Sequence, residues 1–81
     1  MNIQVKLMGT LRKKSPPGAT SLGVAPLEIE PGTSISAVLD QLGLRSGNIH
    51  LVLVNGTMER DKARPLAEGD ELVVFPPVAG G

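Results

Sequence analysis

The sequence predicts an α+β fold in which a single helix covers one face of a mixed sheet of four to five strands. Three observations predict it. Short runs near both ends of the chain alternate apolar with polar or charged residues, the period of half-buried strands. One segment, in the middle, repeats its apolar residues with the period of a helix. The stretches between them are rich in glycine and proline, 10 and 7 of 81 residues, which punctuate a chain into short elements.

Ile3, Val5 and Leu7 alternate with Asn2, Gln4 and Lys6 and form the first strand. After Leu11 the character changes. Arg12-Lys13-Lys14-Ser15-Pro16-Pro17-Gly18-Ala19-Thr20-Ser21 is basic and then rich in turn formers, so 12–23 is expected to be a long mobile loop. Its basic start is expected to be a solvated turn. Leu27 and Ile29, flanked by Glu28 and Glu30, give a second strand that can pair with the first, and Pro31-Gly32 ends it.

Ile35, Val38, Leu39 and Leu42 then fall at i, i+3, i+4 and i+7, one face of a helix of about three turns. Thr33 or Ser34 can cap its first N–H groups. Gly43 suits the left-handed residue beyond its end. The run from Ile49 to Val54 is almost wholly apolar, as in a strand buried on both faces. Asn55-Gly56 is a tight-turn signal, and the charged stretch after it has room for a short edge strand. Glu71 to Phe75 forms the last strand, with Leu72 and Val74 on one face and Val73 and Phe75 on the other. One helix cannot cover both faces, so the second is left open.

Eighty-one residues make one domain, burying roughly 60% of the surface its unfolded chain exposes. The expected division is a domain over 1–75 and a tail over 76–81. There is no cysteine, so disulfides, thiolate metal sites and thiol catalysis are excluded. His50 is the only histidine, which removes a histidine metal cluster; neither a metal site nor a catalytic constellation is expected. Eight basic residues balance eight acidic ones, and Phe75 is the only aromatic residue. Neither a global field nor a stacking surface draws the chain to nucleic acid. No apolar run approaches the ~20 residues of a membrane span, and the opening residues lack a signal-peptide core. The expectation is a cytoplasmic monomer.

The tail is the most informative segment. Pro76-Pro77 stops the last strand, because proline lacks an N–H and fixes φ. Val78, Ala79, Gly80 and Gly81 follow. Six residues span at most ~20 Å when extended. Gly80 and Gly81 have no Cβ, so the walls of a narrow channel can approach the backbone closely. The reactive group at such a tip is the carboxylate of Gly81. Adenylation by ATP would turn this poor acyl donor into a good one, and a sulfur nucleophile could displace AMP to leave a thiocarboxylate.

The segment from Leu66 to Gly81, with its Glu68-Gly69-Asp70 turn, Val73-Val74-Phe75 strand and Gly80-Gly81 end, closely resembles the C-terminus of the MoaD/ThiS sulfur carriers. The helix segment from Pro31 to Leu44 and the opening from Val5 to Arg12 resemble them too, so the likeness spans the chain. It implies a β-grasp, ubiquitin-like fold with a flexible Gly-Gly tail, in agreement with the element order. It also implies a covalently modified carrier rather than an enzyme. Gly81 would be adenylated by an adenylyltransferase of the ubiquitin-activating type, which uses ATP and a sulfur donor while the carrier itself binds no cofactor. The sulfur acceptor would be a synthase, the large subunit of molybdopterin synthase or thiazole synthase. Phe75 matches an apolar position that helps dock the partner, with Val73 on the same face and Pro76 to Gly80 setting the tail's reach. Two other readings share these residues: a modifier joined through Gly81 to lysines of other proteins, and an interaction domain with an inert tail. The 12–23 loop departs from the molybdopterin-synthase small subunits, which carry a helical turn there.

Overall fold

In a computed structural model, which describes residues 1–77, the alternating N-terminal run is a strand, Asn2–Leu7 (β1). It pairs antiparallel with Val24–Glu28 (β2), with Ile3 opposite Leu27 and Val5 opposite Ala25. Pro26 sits in β2 without breaking the sheet because β2 is an edge strand. The remaining strands are Leu51–Val54 (β3), Thr57–Met58 (β4) and Glu71–Phe75 (β5). Their order across the sheet is β2-β1-β5-β3-β4. The two termini of the chain thus meet as central neighbours: β5 runs parallel to β1 and antiparallel to β3. This is the β-grasp, ubiquitin-like architecture.

The helix, Ile35–Gln41 (α1), is two turns long, shorter than its apolar stripe suggested. Ser34 caps it, its Oγ accepting from the Ala37 N–H at 3.1 Å. Gln41 is the last helical residue and Leu42 its C-cap, and Gly43 reverses the chain at φ +76°, where a side chain would be strained. Ile35, Val38 and Leu39 are buried against Ile3, Val5, Leu7, Val52, Val54, Leu72 and Val74 in one cluster. Leu27 and Leu42, at the margin, are half-buried against it. Leu44 and Leu66, single leucines in irregular segments, close its ends.

Two expectations are corrected. The segment 12–23 does not begin as a free loop. Gly9–Lys14 forms a 3-10 helix that lays Leu11 into the core at 4% exposure. Lys14 Nζ donates to the Gly43 carbonyl at 3.1 Å, and Pro16 is buried. Further on, the Thr20 hydroxyl accepts from the Leu22 and Val24 N–H groups, each at 3.3 Å, and leads into β2. One leucine among basic residues has no periodicity to betray it; its burial, the Lys14 bond to Gly43 and the turn's own backbone hydrogen bonds hold the segment. The second correction concerns β3, which is buried on one face only. Val52 and Val54 face the helix, while Leu51 and Leu53 are half-exposed on the open side.

Candidate functional site

β5 carries the functional geometry because it is central and leads straight into the tail. Leu72 and Val74 are fully buried beneath the helix. The alternation of the strand then puts Val73 and Phe75 on the open face, as expected. Phe75 is half-buried there. Its carbonyl accepts from the His50 N–H at 2.8 Å, and the Val74 carbonyl accepts from Met8 at 2.9 Å. The last strand residues are therefore clamped from both sides immediately before the prolines.

Pro76 is half-buried and Pro77 exposed. Pro76 passes so close to Gly9 that a Cβ added there would stand 3.0 Å from the proline Cγ. Gly9 also has φ +55°, so both space and backbone favour glycine at this crossing. A shallow depression beside the prolines is lined by Thr10, Lys13, Lys14, Gly47 and Asn48. Val78, Ala79, Gly80 and Gly81, the rest of the expected tail, lie outside the described residues.

The open face is more apolar than its sequence announced. Across the sheet, Lys6, Val73, Leu53 and Met58 form one row, and Phe75 and Leu51 form the next. Met58 is 52% exposed. Val73 is only 8% exposed, so it supports this surface from within, and Phe75, Leu51, Leu53 and Met58 supply its contact area. Met8, half-buried at the end of β1, continues the face toward β2. Leu51, Leu53, Met58, Met8 and Gly9 were missed as site residues. The signal was the Asn55-Gly56 turn, which fixes the β3–β4 register and would have split Ile49–Val54 into two faces. No group of three or more His, Cys, Asp or Glu side chains that could hold a metal occurs among the described residues.

A central last strand that ends in a proline stop lies beside an open apolar face. The ThiS family model matches residues 5–81, from β1 through both terminal glycines. The chain belongs to the ThiS family. Among curated proteins no sequence match emerges. Solved structures similar to this ThiS-family chain share its fold over its whole length. The HVO 2177 protein of Haloferax volcanii is 26% identical, with a TM-score of 0.74, covering 100% of this chain and 87% of its own. SAMP1 from Haloferax volcanii is 24% identical, with a TM-score of 0.72 and full coverage of both chains. In a complex of subunits 1 and 2 of the molybdopterin-converting factor from Helicobacter pylori, the matching chain is 19% identical, with a TM-score of 0.58 and full coverage of both.

Proposed function

We propose that this protein is a sulfur carrier whose Gly81 carboxylate is adenylated and converted to a thiocarboxylate that delivers sulfur in cofactor biosynthesis. The family match that runs through Gly80-Gly81 carries this reading. In the first step a Gly81 carboxylate oxygen attacks the α-phosphorus of ATP, and pyrophosphate leaves. In the second a sulfide-level nucleophile attacks the acyl carbon, forming C–S as the C–O bond to AMP breaks. Both steps occur on an adenylyltransferase of the ubiquitin-activating type. The domain supplies docking through Phe75 and its neighbours and aims the tail from the clamped end of β5. The recipient is a synthase that builds molybdopterin, tungstopterin or thiamin thiazole. A pairing with such a synthase is supported by the likeness to a subunit seen in complex with its partner subunit.

A second reading rests on the same end group: conjugation of Gly81 to lysine amines of other proteins. The likeness to archaeal proteins named as small modifiers supports it. The two readings part after adenylation. Intact mass of the native protein shows a thiocarboxylate as a gain of about 16 Da, and a conjugate as a new high-mass species.

Extension of the tail tests the activation they share. One alanine after Gly81 moves the carboxylate by up to ~3.6 Å, and a misplacement of ~1 Å can cost ~100-fold in rate. In ATP–pyrophosphate exchange with the cognate adenylyltransferase, the extended protein and a Gly81 deletion should both fall by at least about 100-fold. Exchange by the untrimmed extended protein at the wild-type rate would leave an interaction domain with an inert tail as the better account.

A further inference from the structure

The formal net charge of zero hides a separation of charge along the strands. Glu28 stands opposite Asn2, and Glu71 opposite Gln4, at the start of β1. Glu68 accepts from the Asn2 N–H there, and the Asp70 carbonyl accepts from the Gln4 N–H. Glu30 lies beside Met1. Five of the eight Asp and Glu residues thus gather at one end of the sheet.

The opposite end, about 20 Å away along β1 at ~3.3 Å per residue, is where β5 gives way to the tail. It carries cations. Lys13 and Lys14 flank the depression beside Pro76 and Pro77, and Arg12 and Lys6 line the next one with Met8. Among the described residues no carboxylate lines either depression. The one ion pair among the described residues is Arg64 with Glu59, on the β4 side, and none of these four cations is paired with a described carboxylate. Arg12 and Lys13 are exposed, whereas Lys14 is tied to the Gly43 carbonyl.

Resting on the carrier reading, we propose that this basic end is an electrostatic docking element, and that the protein receiving the tail presents an acidic rim around its channel mouth. The placement decides between ligands. A tail extended from Pro76 would reach up to ~20 Å and would carry a nucleotide at Gly81 away from Lys13 and Arg12. What meets these cations is the surface through which the tail enters. Charges on a rim act over about a Debye length and chiefly raise the association rate.

The experiment compares wild type with the double variant Arg12→Gln/Lys13→Gln, which spares the Lys14 anchor, and with the far-end control Glu28→Gln/Glu30→Gln. Association with the cognate adenylyltransferase is followed by stopped flow between about 50 and 500 mM salt, alongside ATP–pyrophosphate exchange at saturating carrier. At low salt the basic-end variant should associate on the order of tenfold more slowly than wild type. The difference should vanish at high salt, and the exchange rate at saturation should not change. The control should associate within about twofold of wild type. Equal association of variant and wild type at low salt, with exchange intact, overturns this proposal and leaves the carrier reading standing. No exchange even by wild type overturns both. Binding of wild type, but not the variant, to phosphatidylserine vesicles or single-stranded DNA at low salt would assign the charges to a different ligand and also overturn it.

Discussion

Asp70 shows how one residue can set the start of the strand that carries the tail. It is buried at 8% exposure, with its Oδ2 accepting from the Ala67 N–H at 2.8 Å and its Oδ1 from the Asn55 side-chain amide at 2.9 Å. Asn55 in turn accepts from the Glu71 N–H at 2.8 Å. It occupies the left-handed region at φ +53° in the turn joining β3 to β4. One carboxylate therefore links that turn to the first residue of β5. The Ala67 hydrogen bond, then that from Asn55, holds the Asp70 pKa below its ordinary value; burial opposes them, and Arg64 adds a smaller push downward. A depressed folded-state pKa contributes stability that is present above the unfolded value, about 3.9, and is lost as pH falls through the folded one. Asp70→Asn should therefore lower the denaturation midpoint most at neutral pH. The gap to wild type should close as pH drops below about 4. A gap constant from neutral to strongly acid pH would mean that the charge of Asp70 contributes nothing.

The elements divide according to whether the sequence repeats within them. β1, β5 and α1 were legible because their periods of two and 3.6 carry several residues each. The 3-10 helix Gly9–Lys14 was not, since its single buried side chain, Leu11, stands alone among basic residues. Leu44 and Leu66 are invisible for the same reason: an isolated leucine acquires its place only from tertiary contacts. The apolar run before Asn55-Gly56 misled in the other direction, because half of it faces solvent on the open side. If Leu11 is a true core residue, Leu11→Ala should cost about 2–5 kcal/mol, as Leu39→Ala in α1 should. Equilibrium denaturation of the two variants checks this. A Leu11→Ala midpoint equal to wild type would return 12–23 to the free loop that its composition suggested.

At the scale of the whole molecule, the sheet has one face in the core and one face open. Its helix-covered face holds the core cluster, and its other face presents Phe75, Leu51, Leu53 and Met58 beside the tail root. The place of Phe75 on the open face was legible from the alternation of β5. The remainder of the face was not, because residues far apart in the chain become neighbours only through strand register. This division makes a substitution on the open face a clean probe. Met58 is 52% exposed and lies outside the core cluster, so Met58→Glu should change stability by no more than about 0.5 kcal/mol. It places a charge on a surface that must lose water when a partner docks, which is costly without a paired group. The tail and its carboxylate are untouched. In ATP–pyrophosphate exchange the variant should therefore raise the KM for the carrier about tenfold while leaving kcat near wild type, the pattern of lost binding shared by ground and transition states. An unchanged KM would show that the adenylyltransferase does not use the Met58 side of this face. A fall in kcat at unchanged KM would mean that this edge acts on the chemical step, which a surface used only for docking does not do.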